Sequence, residues 1–323
     1  MKKRVYGVLG ISSIMANWNA DFSGFPKTTT DGRVFGSDKA FKYPMKKMWD
    51  SQGEKVLYLK SMELLPEKKG TLSLVPKTLK GRYEQLFPVK DSKKESDSKT
   101  VLTNLFQAID VKNFGATFAE AGNNISITGA VQFGQGFNKY DDTETQEQDI
   151  LSPFRDPKGK EKSKDGEEAK NSTLGTKIVS NEAHYFYPFS INPLAYKEFV
   201  ELEVTEGYTE EDYQKFKKAA LSAATSYATN AKAGCENEFG LFVETEEDCY
   251  LPVLSEYIEF VKDGAVEDSK TYNQIKINCA SMLNEMKSRI KDIEIYYNPY
   301  TTRIQSESIE GVKYYNIITQ KEV

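Results

Sequence analysis

The chain has 323 residues, long for one compact core and short for three, so one elaborated domain or two are expected. Hydrophobic residues make up 39% and charged residues 28%, a globular balance with room for a real core, and no stretch approaches the ~20 apolar residues of a membrane span. The net charge of −5 speaks against a nucleic-acid binder only until it is divided: residues 1–60 hold eleven Lys/Arg against five Asp/Glu, a local +6 that leaves −11 for the remainder.

In chain order, MKKR is basic, but the apolar run after it is short and interrupted, so no secretory signal is expected. Val5 to Ile14 is rich in β-branched and aliphatic residues and reads as a central strand. Residues 15–36 read as a long loop with Gly24, Gly32 and Gly36. Ser37 is placed to cap a helix to about Ser51, within which Pro44 predicts a kink or a fresh start, since a mid-helix proline costs ~3 kcal/mol. That segment carries Lys39, Lys42, Lys46 and Lys47, and the three- and four-residue steps from Lys39 to Lys42 to Lys46 put those three on one helix face. A flexible backbone and a cluster of ammonium groups after a strand are what phosphate binding requires.

Lys55 to Leu65 predicts a second strand ended by Pro66, and residues 66–99 an insertion with little core of its own. Asp97 or Ser98 is placed to cap a helix with apolar positions Val101, Leu102, Leu105, Phe106 and Ile109, and ITGAVQF at 127–133 reads as a strand. Between Asp141 and Lys170 there are ten acids and six bases with almost no apolar residues, so a projecting hairpin or loop is expected over 138–177. Ile150, Leu151, Phe154 and Leu174 are the apolar exceptions, candidates for a contact made elsewhere. Ile178 to Ile191 is an aromatic-rich strand. Thr209 with Asp212 resembles a capping box opening a helix to about Lys232, and 269–290 reads as another helix, so 205–290 is expected to be a mainly helical elaboration. Strand patterns recur at FGLFVETEE, DIEIYY and GVKYYNII. The mixture lacks βαβ periodicity, so the fold class is α+β, a single elaborated domain.

The side chains available for catalysis are few. His184 is the only histidine and sits in an aromatic strand, where a structural role is expected. Cys235, Cys249 and Cys279 are odd in number and widely spaced, which suggests neither a disulfide framework nor a zinc knuckle and fits a reducing cytoplasm. Asp21, Asp31 and Asp38 lie in or beside the glycine-rich loop. They are candidates to hold Mg²⁺ with a substrate phosphate, or turn and cap residues without chemistry. There is no G-x-x-x-x-G-K-[ST] phosphate loop. An enzyme and a cofactor are therefore not expected; the rival reading is a metal-dependent endoribonuclease using Asp21 or Asp31.

Three blocks carry a family resemblance: NWNADFSGFPKTTTDGRVFGSDKAFKYPMKKMW, ITGAVQFGQGFN and TLGTKIVSNEAHYFYPFSINP. In order and spacing they resemble the backbone subunit of type I-B CRISPR Cascade complexes. The resemblance implies a modified RNA-recognition-motif (ferredoxin-like) palm with helical insertions and a thumb-like hairpin over 138–177. It implies a non-catalytic subunit that oligomerises with neighbouring copies along crRNA in the cytoplasm, beside other Cascade subunits, and meets target DNA through the guide, with no membrane involved. The RNA-binding residues it implies are Asn17, Asn19, Lys27, Lys39, Lys42, Lys46 and Lys47 in the first block, Gln132 and Phe133 in the second, and Lys177 in the third. Ile150, Leu151, Phe154 or Leu174 would supply a wedge that displaces a base. A guide subunit must tolerate any spacer, which backbone contacts allow and base-edge readout would defeat.

Overall fold

Residues 7–11 are buried on both faces, which only a strand in the middle of a covered sheet can be. The computed structural model describes residues 1–67, 70–88, 97–120, 122–151 and 173–323. Its first half runs β1 (Arg4–Ala16), β2 (Phe35–Gly36), α1 (Asp38–Ser51), β3 (Met62–Pro66), β4 (Leu72–Pro76), α2 (Leu79–Leu86), α3 (Ser98–Gln107) and α4 (Ile109–Phe114). Next come β5 (Gly115–Phe118), β6 (Ile125–Thr128), β7 (Val131–Phe133), β8 (Gly136–Asn138), β9 (Thr145–Leu151) and β10 (Thr173–Ile191). The remainder is α5 (Lys197–Glu201), α6 (Glu210–Ala220), α7 (Ala223–Ser226), β11 (Cys235–Thr245), β12 (Ile258–Glu267), β13 (Lys270–Ile277), α8 (Ala280–Glu285), β14 (Ile290–Tyr297), β15 (Thr302–Ser306) and β16 (Val312–Asn316).

The main sheet has the order β16-β14-β11-β1-β10-β8-β2, with β7 and β9 also on β10. All its pairs are antiparallel except β14 with β16. Side-chain alternation sends the two faces to different cores. Leu9, Ile11 and Phe242 meet Phe41, Met45 and Trp49 of α1 and Tyr213 and Phe216 of α6, whereas Val8, Leu241 and Val243 meet Ile258, Ile275 and Ile277 of the small sheet β12-β13-β15. At Gly7 a Cβ would run into the Leu241 carbonyl and the Phe189 ring, so the tight pairing of β1 with β11 depends on that glycine. No helix of the described residues is long and apolar enough to cross a membrane.

Several expectations need correction. Helix α1 does not start afresh at Pro44 but continues from Asp38 to Ser51 with the proline inside it, because buried Phe41, Met45 and Trp49 on either side anchor both halves to one core. Residues 55–61 form no ladder: Leu57 and Tyr58 donate their N–H groups to the Asp110 carboxylate, and the strand starts only at Met62. The 127–133 block is split between β6 and β7, since Gly129 passes so close to the Asn113–Gly115 backbone that a Cβ would not fit. The capping box at Thr209 and Asp212 is present, but its helix ends at Ala220. Residues 269–290 are strand β13 followed by the short α8, so 205–290 is not mainly helical; Ile275 and Ile277 find a sheet partner on each side, and pairing overrides helical spacing. The three cysteines are buried free thiols.

Candidate nucleic-acid interface

Helix α1 is built to present lysines. Ser37 caps it by accepting from the Ala40 N–H, and its own N–H donates to Asn19 Oδ1 at 2.7 Å. Phe41, Met45 and Trp49, four residues apart, bury one stripe against the sheet. The adjacent stripe, Lys39, Lys42, Tyr43 and Lys46, lines a cleft of about 630 Å³, closed opposite by Tyr58, Phe114, Gly115, Ala116, Thr117 and Ile127. The β5–β6 hairpin is held over the cleft by the Tyr58 hydroxyl, which donates to the Thr117 carbonyl at 2.6 Å.

The three lysines are not equivalent. Lys39 is exposed and makes no ion pair among the described residues. Lys42 lies 2.9 Å from Asp38 and 5.1 Å from the centre of the Phe114 ring. Lys46 is deeper, 3.3 Å from the fully buried Asp110 carboxylate and 5.5 Å from the Tyr58 ring. Burial pulls the Lys46 ammonium below the usual lysine range, against the attraction of Asp110. The cleft therefore offers a free cation at its mouth, a second one held loosely by an exchangeable partner, and a third committed to the scaffold. Aromatic faces line it between them. Such a surface suits an anionic oxygen next to a flat apolar group.

The remaining expected residues separate into scaffold and surface. Asn17 is buried and donates to the carbonyls of Gly24 and Ile178, tying the 17–36 loop to β10. Lys27 is half-buried, 5.5 Å over the Phe35 ring. Lys47 is not part of the cleft lining. Gln132 and Phe133 point to opposite faces, as strand neighbours must: Phe133 packs against Phe41, Phe114 and Phe189 in the helix-side core, and Gln132 is exposed on the other face with its amide on the Gly129 carbonyl. Phe133 thus faces the core and not an outside partner, which corrects its expected orientation.

Where β1 stops, β10 continues with β9 alone, so residues 145–151 and 173–180 form a two-stranded ladder beyond the body of the sheet. Lys177 lies on this ladder opposite Gln148, and Ile150 and Leu151 are exposed at its far end. Phe154 and the Leu174 side chain lie outside the described residues.

Asp21 and Asp31 are both turn residues. Asp21 Oδ1 accepts from the Ser23 and Phe25 N–H groups at 2.8 and 3.0 Å. Asp31 accepts from the Thr29 hydroxyl and pairs with Arg33 at 3.2 Å; the Thr29 hydrogen bond first, then its other partners, hold its carboxyl below the usual range. Asp38 pairs with Lys42. Among the described residues no group of three or more His, Cys, Asp or Glu side chains is placed to hold a metal ion. Sequence reasoning missed Tyr43, Tyr58 and Phe114. Tyr43 shares the lysine spacing and was accessible to it, whereas Tyr58 and Phe114 reach the cleft only through tertiary packing.

His184 is buried between two carboxylates, 2.8 Å from Glu238 and 3.0 Å from Glu182, with its ring stacked 3.6 Å from that of Phe260. Burial opposes its charge, but the two acids overcome it and raise the imidazole to about 9, while the hydrogen bond from His184 depresses Glu182 to about 2. It is a charged structural histidine.

The family described as CRISPR-associated protein Cas7 matches residues 3–280. Among solved structures, a chain titled "CRISPR RNA-guided surveillance complex, pre-nicking" superposes with a TM-score of 0.53 at 14% identity, covering 94% of this chain and 96% of that one. A chain titled "CRISPR RNA-guided surveillance complex" matches at 15% identity with a TM-score of 0.46, over 93% and 94% of the two chains. None of the curated proteins compared matches. A family match over most of the chain and a likeness of fold along nearly all of it lead to one conclusion: this protein belongs to the CRISPR-associated Cas7 family.

Proposed function

We propose that this chain is the guide-coating backbone subunit of a type I CRISPR interference complex, of subtype I-B, and that it is non-catalytic. In this reading copies line up along crRNA in the cytoplasm and are flanked by other Cascade subunits. Each copy holds the ribose-phosphate chain in the α1 cleft, and the bases that the protein does not engage stay free to pair with target DNA. The observation that carries the reading is the row of Lys39, Lys42 and Lys46 along one cleft in a member of this family. Lysines grip phosphate as point charges and ignore base identity, as a guide of any sequence demands.

The RNA-recognition-like palm is supported by strand order. Taking β1, α1, the β7–β8 pair, β10, α6 and β11 in turn gives β-α-β-β-α-β, arranged in the sheet as β11, β1, β10, then β8. In this reading the β9–β10 ladder serves as the thumb, with Lys177 on its stem and Ile150 and Leu151 as wedge candidates. The non-catalytic part is supported by the engagement of Asp21 and Asp31 in turns.

The test uses Lys39→Ala with Lys42→Ala, leaving Lys46 in place because Asp110 depends on it. RNA affinity is expected to fall by the same factor on unrelated spacers, and the log–log salt slope to flatten by about 1.4, at ~0.7 per lost phosphate contact on a single strand. A loss confined to particular spacers would remove the backbone-contact reading. Incubation with complementary RNA and Mg²⁺, beside an Asp31→Ala control, tests the rest: aspartate-dependent cleavage would replace this proposal with the nuclease.

A further inference from the structure

The hairpin between β1 and α1 holds one aromatic ring entirely in solvent. Phe22 has a relative exposure of 112%, above that of an extended reference chain and far above any other large apolar residue in the described chain. The backbone beneath it is held firmly. Asp21 donates its N–H to the Phe25 carbonyl and takes that of Gly24, its carboxylate accepts from Ser23 and Phe25, and Ala20 bridges Pro26. Gly24, at φ +90°, makes the turn, and Asn17 ties its carbonyl to that of Ile178, one residue from Lys177 on the β9–β10 ladder. Asn17 fixes the rear of the turn through the Gly24 carbonyl, and Asn19 joins it to the cap of the lysine helix. A ring on a preorganised turn loses little further entropy when a partner covers it.

We infer that Phe22 is a stacking platform for a base of the bound RNA strand, a contact that rests on the guide-coating reading and adds a base contact to its phosphate grip. The surroundings favour a base over a protein. The flanking Asp21 and Ser23 are exposed and polar, and the other aromatic of the turn, Phe25, is only 37% exposed, whereas a stable protein interface uses ~800 Å² per partner. The one acid beside it has its carboxylate turned onto backbone N–H donors, which lowers its repulsion of a phosphate. Every base has a π-face, so stacking on Phe22 leaves spacer sequence free.

The experiment uses the full chain and short single-stranded RNAs carrying a fluorescent purine analogue at one position each. Wild-type binding is expected to quench the analogue at one or two positions. Phe22→Ala and Phe22→Leu are expected to abolish that quench and weaken binding about 5- to 100-fold, with Phe22→Trp restoring both. Unchanged quench and affinity in Phe22→Ala would overturn stacking while leaving the phosphate grip intact. If Leu rescues as well as Trp, and the loss appears only on RNAs long enough for two protomers, the ring contacts a neighbouring copy and the inference is wrong. A wild-type chain that binds no RNA would sink the coating reading itself, an outcome separate from either of these.

Discussion

The two faces of the main sheet use charge in opposite ways. On the small-sheet side His184 is enclosed, with a carboxylate on each ring nitrogen and Phe260 stacked on the ring, and Lys262 reaches the same Glu182 at 2.7 Å. On the helix side Lys39 stands without an ion-pair partner among the described residues, and Lys42 has only the half-exposed Asp38. The first arrangement stabilises the fold and leaves nothing over for a ligand. The second contributes little to folding and keeps its cations for something outside the chain. Burial with full pairing marks a structural charge, and exposure beside aromatic surface marks a charge available for binding.

The largest effect that would test this contrast is at His184. His184→Ala strips the buried Glu238 of its counter-charge and is expected to cost about 3–5 kcal/mol, read as a fall in the urea midpoint. A loss below about 1 kcal/mol would mean that the small sheet is held by its apolar residues alone.

Stability should also depend on pH in a stated direction. With the imidazole at about 9 folded and at the ordinary ~6.5 unfolded, the native state holds the extra proton between those values. The contribution of His184, about 3 kcal/mol at full size, is present below pH ~6.5 and lost as pH rises through 9. At the acid end Glu182 behaves in mirror image. Its contribution is present above its ordinary value of about 4.5 and is lost as pH falls toward 2. Denaturant midpoints measured across both windows check the two signs.

Asp110 lies between the extremes, a buried carboxylate that serves the scaffold while touching the binding cleft. It accepts from Leu57 and Tyr58 and pairs with Lys46. Asp110→Asn keeps one acceptor and is expected to cost about 1–3 kcal/mol, with RNA affinity moving less than in the Lys39 and Lys42 double variant. The smallest expected change in stability, within ~0.5 kcal/mol, belongs to Lys39→Ala. If Lys39→Ala destabilised the chain as much as His184→Ala, the division between the faces would fail.

Much of this contrast was legible in local pattern. The lysine face of α1 followed from steps of three and four residues, the caps at Ser37 and Thr209, and the pair Asp97 or Ser98 from which the structure selects Asp97, from side chains able to accept a nearby N–H, and the structural role of His184 from its aromatic strand and lack of a second histidine. What failed did so where a distant partner overruled local preference. No new helix starts at Pro44 because the core holds both sides of it, residues 270–277 pair as a strand between β12 and β15, and Phe133 turns inward because β7 adds to β10 with that face under α1.

By itself, then, the chain of residues determined that Val5 to Ile14 is a central strand, where α1 and α6 begin and which face of α1 carries the lysines, since each depends on neighbours a few residues away. Only the tertiary structure decided that Asp110 commits Lys46 to the scaffold, that Tyr58 and Phe114 close the cleft, and that Phe22 stands clear of everything. Those outcomes join groups that are far apart along the chain. A charge or a ring is free or engaged only in relation to what folding brings beside it.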